Sequence, residues 1–160
     1  MEEHFSNIGL LPPLAASPPN RRMRVLHVDG NRDDQMLCQE ATRDAGIPFD
    51  WDVVNSGESA IAYFQSASAL PDLILLDLHL PDGSGMTLLK YLRAHPPLAN
   101  LPVVIVGGSP RVLLSEALRE GAALAFEKPA NFNELVEIMK IIHQRMNQLR
   151  SLSNSPKESN

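Results

Sequence analysis

The run Leu73-Ile74-Leu75-Leu76-Asp77 constrains this chain more than any other feature. Its apolar residues follow one another without polar alternation, which describes a strand buried on both faces. Such strands belong to parallel sheets covered by helices on either side. The run closes on a carboxylate, and Pro81 and Gly83 then force a loop before helical spacing resumes. In open parallel α/β sheets, ligands and chemistry gather in the crevice beyond the carboxyl ends of the strands. Asp77 is therefore the first site candidate.

The rest of the chain alternates in the same sense. Met23 to Val28 reads as a first strand ending on Asp29-Gly30-Asn31. Arg32 to Ala45 then reads as a helix, with Gly46 placed for a left-handed cap. Phe49 to Val54 is a second strand and Ser56 to Gln65 a second helix. The Asp77 segment is the third strand, followed by a helix over Gly85 to Ala94. Val103 to Val106 is the fourth strand. Ser109 is expected to cap the next helix, with Pro110 in its first turn. Leu124 to Phe126 is a short fifth strand leading to Glu127-Lys128-Pro129. Asn131 and Glu134 then open a last helix, whose apolar stripe runs from Phe132 to Leu149. Five strands alternating with five helices predict an α/β fold: a doubly wound, flavodoxin-like parallel sheet of order 2-1-3-4-5, helices on both faces.

Residues 1–22, with Pro12-Pro13 and Pro18-Pro19, read as a disordered Pro-rich arm, residues 23–149 as one domain, and residues 150–160 as a polar tail. The net charge of −5, without a Lys/Arg block, argues against nucleic acid as a partner. No apolar run reaches the ~20 residues that span a bilayer. The acidic start Met1-Glu2-Glu3 does not resemble a secretory signal, so a cytoplasmic location without membrane contact is expected. The lone Cys38 excludes an internal disulfide.

In the expected strand order, Asp29, Asp77 and Lys128 converge on one crevice, beside the turn Gly107-Gly108-Ser109. Two carboxylates and an ammonium suit phosphoryl transfer, in which catalysis is largely positioning and charge neutralisation. A carboxylate can itself be the nucleophile, forming an aspartyl phosphate. A divalent cation on the carboxylates and a lysine on the phosphoryl oxygens then neutralise charge from two sides.

Leu73 to Gly85, LILLDLHLPDGSG, resembles the phosphoacceptor segment of response regulator receiver domains, the aspartate-phosphorylated switches of two-component signalling. Val25 to Asp34 resembles their acidic-pair segment, and Phe126-Glu127-Lys128-Pro129 their lysine segment, in which the Lys–Pro bond is cis. The resemblance covers residues 23 to 149. It is nearest to short receivers that lack an output domain, such as those paired with bacterial phytochrome kinases. It implies that Asp77 is the phosphoacceptor, assisted by Lys128. Mg2+ would be held by Asp29, Asp77 and the backbone carbonyl of His79. A sensor histidine kinase would be the donor and a further protein the recipient of the signal. No enzymatic activity beyond self-phosphorylation and dephosphorylation is implied. The output would pass through the face of the fourth helix, fifth strand and fifth helix, which could also form a homodimer.

Three positions depart from the family pattern. Gly30 stands where a second acid contacts the metal. Gly107 stands where a Thr or Ser hydroxyl binds the phosphoryl group. Ala125 stands where the switch aromatic is expected, with Phe126 on the opposite face. They favour an alternative, a pseudo-receiver that docks partners without being phosphorylated. A dehalogenase-type phosphatase would need a second Asp at His79, and a flavin carrier a Ser/Thr-rich phosphate cradle after the first strand. His27, within the first strand, is read as a packed residue rather than a ligand.

Overall fold

The structure is a computed structural model that describes residues 21–107 and 110–154. The first 20 residues of the expected arm, the expected cap Ser109, and residues 155–160 lie outside the described residues. Five strands, β1 (Met23–Val28), β2 (Phe49–Val54), β3 (Leu73–Leu76), β4 (Val103–Gly107) and β5 (Leu124–Glu127), form one parallel sheet. Its order is β2-β1-β3-β4-β5. Five helices connect and close them: α1 (Arg32–Asp44), α2 (Gly57–Ser66), α3 (Gly85–Ala94), α4 (Arg111–Arg119) and α5 (Phe132–Asn154).

The sheet separates two cores, which is why β3 carries no polar alternation. Leu26, Val28, Ile74, Leu76 and Ile105 face α2, α3 and α4, meeting Phe64, Leu89, Leu92 and Leu114. Val25, Leu73, Leu75 and Val104 face α1 and α5, meeting Ala41, Leu135, Met139, Ile142 and Met146. All four apolar residues of β3 are buried. At about 1.5–3 kcal/mol for each fully buried Leu or Ile, this strand is the stiffest support available to Asp77.

Local chemistry sets the helix ends. Asn31 caps α1 by accepting from the Asp34 amide at 3.0 Å, with Asp33 and Asp34 in the first turn. Beyond α1, Gly46 takes a φ of 68°, the left-handed conformation its place implies. Asn131 accepts from the Glu134 amide at 2.9 Å, and Glu134 Oε2 accepts from the Ala130 amide at 2.7 Å, a capping box displaced by one residue. α5 runs on to Asn154, past the end of its apolar stripe. At α4 the sequence reading needs correction. Pro110 flanks the helix with ψ 153° and makes no side-chain cap bond, because the ring fixes φ and leaves ψ free to be extended.

A feature absent from the sequence reading lies directly after β3. His79–Leu80 pairs antiparallel with Gly83–Ser84 in a minimal hairpin. Asp82 at its turn accepts from the Gly57 and Glu58 amides at 3.0 and 2.9 Å, so the loop is fastened to the amino end of α2. Those two bonds hold the Asp82 carboxyl below the usual carboxylate range.

Candidate functional site

Parallel pairing places the two carboxylates side by side. The register Val28↔Leu76 carries one residue beyond β1 and β3 to Asp29 and Asp77. The Asp29 amide donates to the Val54 carbonyl at 3.1 Å and the Asp77 amide to the Val28 carbonyl at 3.0 Å, so both backbones belong to the ladder. Asp29 is buried, at 4% exposure. Its Oδ1 accepts from the Asn31 amide at 2.8 Å, and its carbonyl accepts from Gln35 Nε2 at 2.6 Å. Its Oδ2 lies 3.4 Å from Nε2 of His27, itself only 3% exposed. The His27 ring in turn stands 5.7 Å from that of Trp51, whose Nε1 donates to Thr42 Oγ1 at 3.2 Å.

Asp77 is half-buried, and its Oδ1 accepts from the His79 amide at 2.9 Å. Its carboxyl is pushed above the usual range. Desolvation is the largest cause and the neighbouring Asp29 adds to it, while the His79 amide bond works in the opposite direction. A charge that sits uneasily here gains from a nearby cation or from a change of covalent state.

The glycines around this carboxylate differ in kind. A Cβ at Gly85 would overlap the Asp77 carbonyl and the Leu78 Cα, so only glycine lets the start of α3 approach β3 this closely. A Cβ at Gly30 would fall 2.7 Å from Cγ and 2.8 Å from Cδ of Pro81. The place of the family's second acid is thus occupied by a proline ring. At Gly107 a Cβ would come within 2.8 Å of Asp77 Oδ1, the oxygen that accepts from the His79 amide, with the Leu78 backbone nitrogen 3.9 Å away.

Lys128 shares one cavity of about 690 Å³ with Asp29, Gly30, Asp77, His79 and Gly107. It forms no ion pair within 4 Å among the described residues. The Lys128–Pro129 bond is trans, where the resemblance implied cis. The cavity continues along Leu37, Cys38, Phe132 and Leu135, between α1 and the start of α5. Ala125 packs with the core beneath α4 and Phe126 with the core beneath α5, on opposite faces as the alternation requires.

Among the described residues, no group of three His, Cys, Asp or Glu side chains stands in ready-made ligating geometry. Asp29 and Asp77 nevertheless suit a hydrated divalent cation, since such an ion is commonly held by one or two carboxylates and keeps its other waters. His79 lies at the rim, paired with Ser84 in the hairpin. The sequence did not reveal the closeness of His27 to Asp29, the proline filling the space beside Gly30, or the anchoring of the loop by Asp82. Of these only the first left a signal, a histidine two residues before Asp29 and therefore on the same face of the strand.

A doubly wound parallel sheet with two carboxylates and a lysine lining one cavity at its carboxyl edge defines a class of flavodoxin-like α/β proteins. The model of the response regulator receiver domain matches residues 25–140, so the chain belongs to that family. The response regulator Rcp1 of Synechocystis sp. is 32% identical over 87 residues, 51% of this chain and 59% of that protein. The transcriptional regulatory protein KdpE of Staphylococcus aureus is 30% identical, with 63% of this chain and 43% of that protein covered. The chain thus spans less than two thirds of these relatives. The crystal structure of the phosphorylated cyanobacterial phytochrome response regulator RcpA superposes with a TM-score of 0.72 at 28% identity, covering 87% of this chain and all of that one. The Mn2+-bound form of Rcp1 gives 0.69 at 26% identity, covering 76% and 92%. Among the described residues no helix is long and apolar enough to cross a membrane.

Proposed function

We propose that this receiver takes a phosphoryl group onto Asp77 from a phosphohistidine of a sensor histidine kinase. The observation that carries the reading is the pairing of Asp29 and Asp77 at adjacent strand ends, in one cavity with Lys128, which has no ion pair among the described residues. An Asp77 carboxylate oxygen attacks phosphorus, the P–N bond to the donor imidazole breaks, and an acyl phosphate remains on the protein. The departing imidazole keeps the electron pair and takes a proton from water. Lys128 stands where it can neutralise the phosphoryl oxygens. Asp29 and Asp77 would hold a divalent cation, Mg2+ in the family pattern, which would supply charge neutralisation from the other side. The donor protein must reach Asp77 through the cavity mouth, where the half-exposed Leu37 and Phe132 offer it apolar contact.

The output is a protein contact through α4, β5 and α5. Val112, Leu118 and Ile141 are exposed large apolar residues on these helices and would suit a partner or a second copy. With Gly107 in place of a hydroxyl and Ala125 in place of an aromatic, phosphorylation is coupled to this face only weakly. The second reading, a docking module that is never phosphorylated, draws on the Pro81 ring that fills the place of the second acid. One experiment separates the two. The protein is incubated with a small phosphodonor, with and without divalent metal, and its intact mass compared with that of Asp77→Asn. A metal-dependent gain of one phosphoryl group, absent from the variant, supports the first reading. No gain in a folded protein supports the second.

A further inference from the structure

We propose that residues 8–14 of the amino-terminal arm fold back in cis along α5 and seat Leu10 and Leu11 between α1 and α5, over the mouth of the Asp77 cavity. That this cap restrains phosphorylation rests on the reading of Asp77 as phosphoacceptor; the contact itself does not. The arm joins the domain at a fixed point. Arg21 Nη2 donates to Asp72 Oδ1 at 2.6 Å, and the Arg21 carbonyl accepts from Arg150 Nη1 at 3.3 Å. Next in the chain, Arg22 Nε donates to Asp50 Oδ1 at 2.6 Å and its Nη2 to the Phe49 carbonyl at 3.1 Å. Two successive residues are thus tied to β2, to α5 and to the turn before β3. The chain preceding Arg21 therefore starts from a set place, beside the carboxyl-terminal part of α5.

The same helix leads from that place to the cavity. Phe132 and Arg150 both belong to α5, and their separation in sequence is about five turns of an α-helix. They therefore stand on one side of it, about 27 Å apart. His143 lies on that side between them, packed edge-on against Phe49 of β2. The arm has the length for this path. Pro12-Pro13 and Pro18-Pro19 favour an extended course of about 3.1 Å per residue, so about nine residues before Arg21 cover the distance. That brings Pro12 level with Phe132, and Leu11 and Leu10 come directly before it, flanked by Ile8 and Leu14. What they reach is apolar and open. Leu37 and Phe132 are 41% and 36% exposed, above the buried Cys38 and Leu135, and all four line the cavity. A tethered cover needs little intrinsic affinity, because a short linker holds it at an effective concentration of order millimolar. The prolines also lower the cost of ordering it. A donor's phosphohistidine must then compete with the arm for the mouth it enters.

The experiment uses the full chain. A nitroxide is attached at Asn7→Cys, and Cys38 stays unlabelled because burial pushes its thiol up to about 12. Relaxation of the backbone amides is then read by NMR. The expected result is broadening of the Leu37, Cys38 and Phe132 amides at least about threefold stronger than that of Ala60 and Phe64 in α2, on the other side of the sheet. Leu10→Ser with Leu11→Ser in the same labelled chain should remove this bias, and these changes touch no residue of either core. Equal broadening on the two sides overturns the proposal, as does a bias that survives the serine substitutions. Broadening that arises only between separate chains, in a mixture of nitroxide-labelled and isotope-labelled protein, overturns the cis contact. Uptake of a phosphoryl group from a small phosphodonor, followed by intact mass, should be at least about threefold faster in the serine variant with Asn7 intact. Equal uptake rates overturn the restraint. If neither chain takes a phosphoryl group while the bias is present, the phosphoacceptor reading fails and the arm contact stands.

Discussion

On the β1 side of Asp77, Asp29 is buried, its carboxylate accepts from the Asn31 amide, its carbonyl accepts from Gln35, and its own amide continues the sheet ladder to Val54. Next to it Gly30 is pressed against the Pro81 ring, and Gly85 against the backbone of β3. On the β4–β5 side, Gly107 brings no side chain to Asp77, Lys128 has no ion-pair partner among the described residues, and Ala125 is only partly buried. The half that would hold charge is fixed by backbone and close packing. The half that would report on charge is sparse. On the proposed reading, a receiver built this way would keep the means of accepting a phosphoryl group and lose much of the means of responding to it.

The comparison can be broken most directly at the centre. Asp77→Asn is expected to abolish phosphoryl uptake completely, as read by intact mass. It should also raise the melting temperature at neutral pH. The Asp77 carboxyl titrates above its ordinary value in the folded state, so ionisation disfavours folding. That penalty is absent below the unfolded value of about 3.9 and complete above the folded one, so the gain should vanish below about pH 4. Melts of both proteins across that range would test the sign. On the packed side, Gly85→Ala should cost about 3 kcal/mol in denaturant unfolding, because the clash is with backbone. Gly30→Asp should cost about 2 kcal/mol rather than restore the family's second acid, since the Pro81 ring must move. A Gly30→Asp protein as stable as wild type and binding metal more tightly would show that the β1 side is looser than its contacts suggest. On the sparse side, Gly107→Ser should cost about 1 kcal/mol, less than either glycine change on the packed side, because the added Cβ displaces the Asp77 carboxylate rather than backbone or a proline ring. The smallest effect concerns Cys38, whose thiol burial pushes up to about 12. In the folded protein it should stay inert to thiol reagents at pH 8, and rapid labelling would reveal opening between α1 and the sheet.

Much of this architecture was legible in the sequence because it rests on local periodicity. The unbroken Leu73–Leu76 run could only be a doubly covered strand, and β2 and α3 begin and end where alternation and 3–4 spacing put them. The convergence of Asp29, Asp77 and Lys128 followed from topology once the strand order was known. What escaped depends on distances between segments that no local pattern encodes. The Gly30–Pro81 contact joins residues from two loops, and the Asp82 bonds join the hairpin to α2. His27 looked like core because it is core by burial; what the sequence hid is its approach to Asp29 through Nε2 and the enclosed Nδ1, which has no hydrogen-bond partner among the described residues. The position of Pro110 was misread because φ alone does not commit a proline to a helix.

The contact between His27 and Trp51 gives the molecule an optical property. Trp51 is the single tryptophan of the chain, so all indole emission comes from one ring, 5.7 Å from the imidazole that borders Asp29. A paramagnetic ion held at Asp29 would drain the excited state, while a closed-shell ion of similar size would leave most of the light. If the carboxylate crevice takes such an ion, its occupancy would be readable in unlabelled protein, in a cuvette, and in real time as a phosphodonor is added.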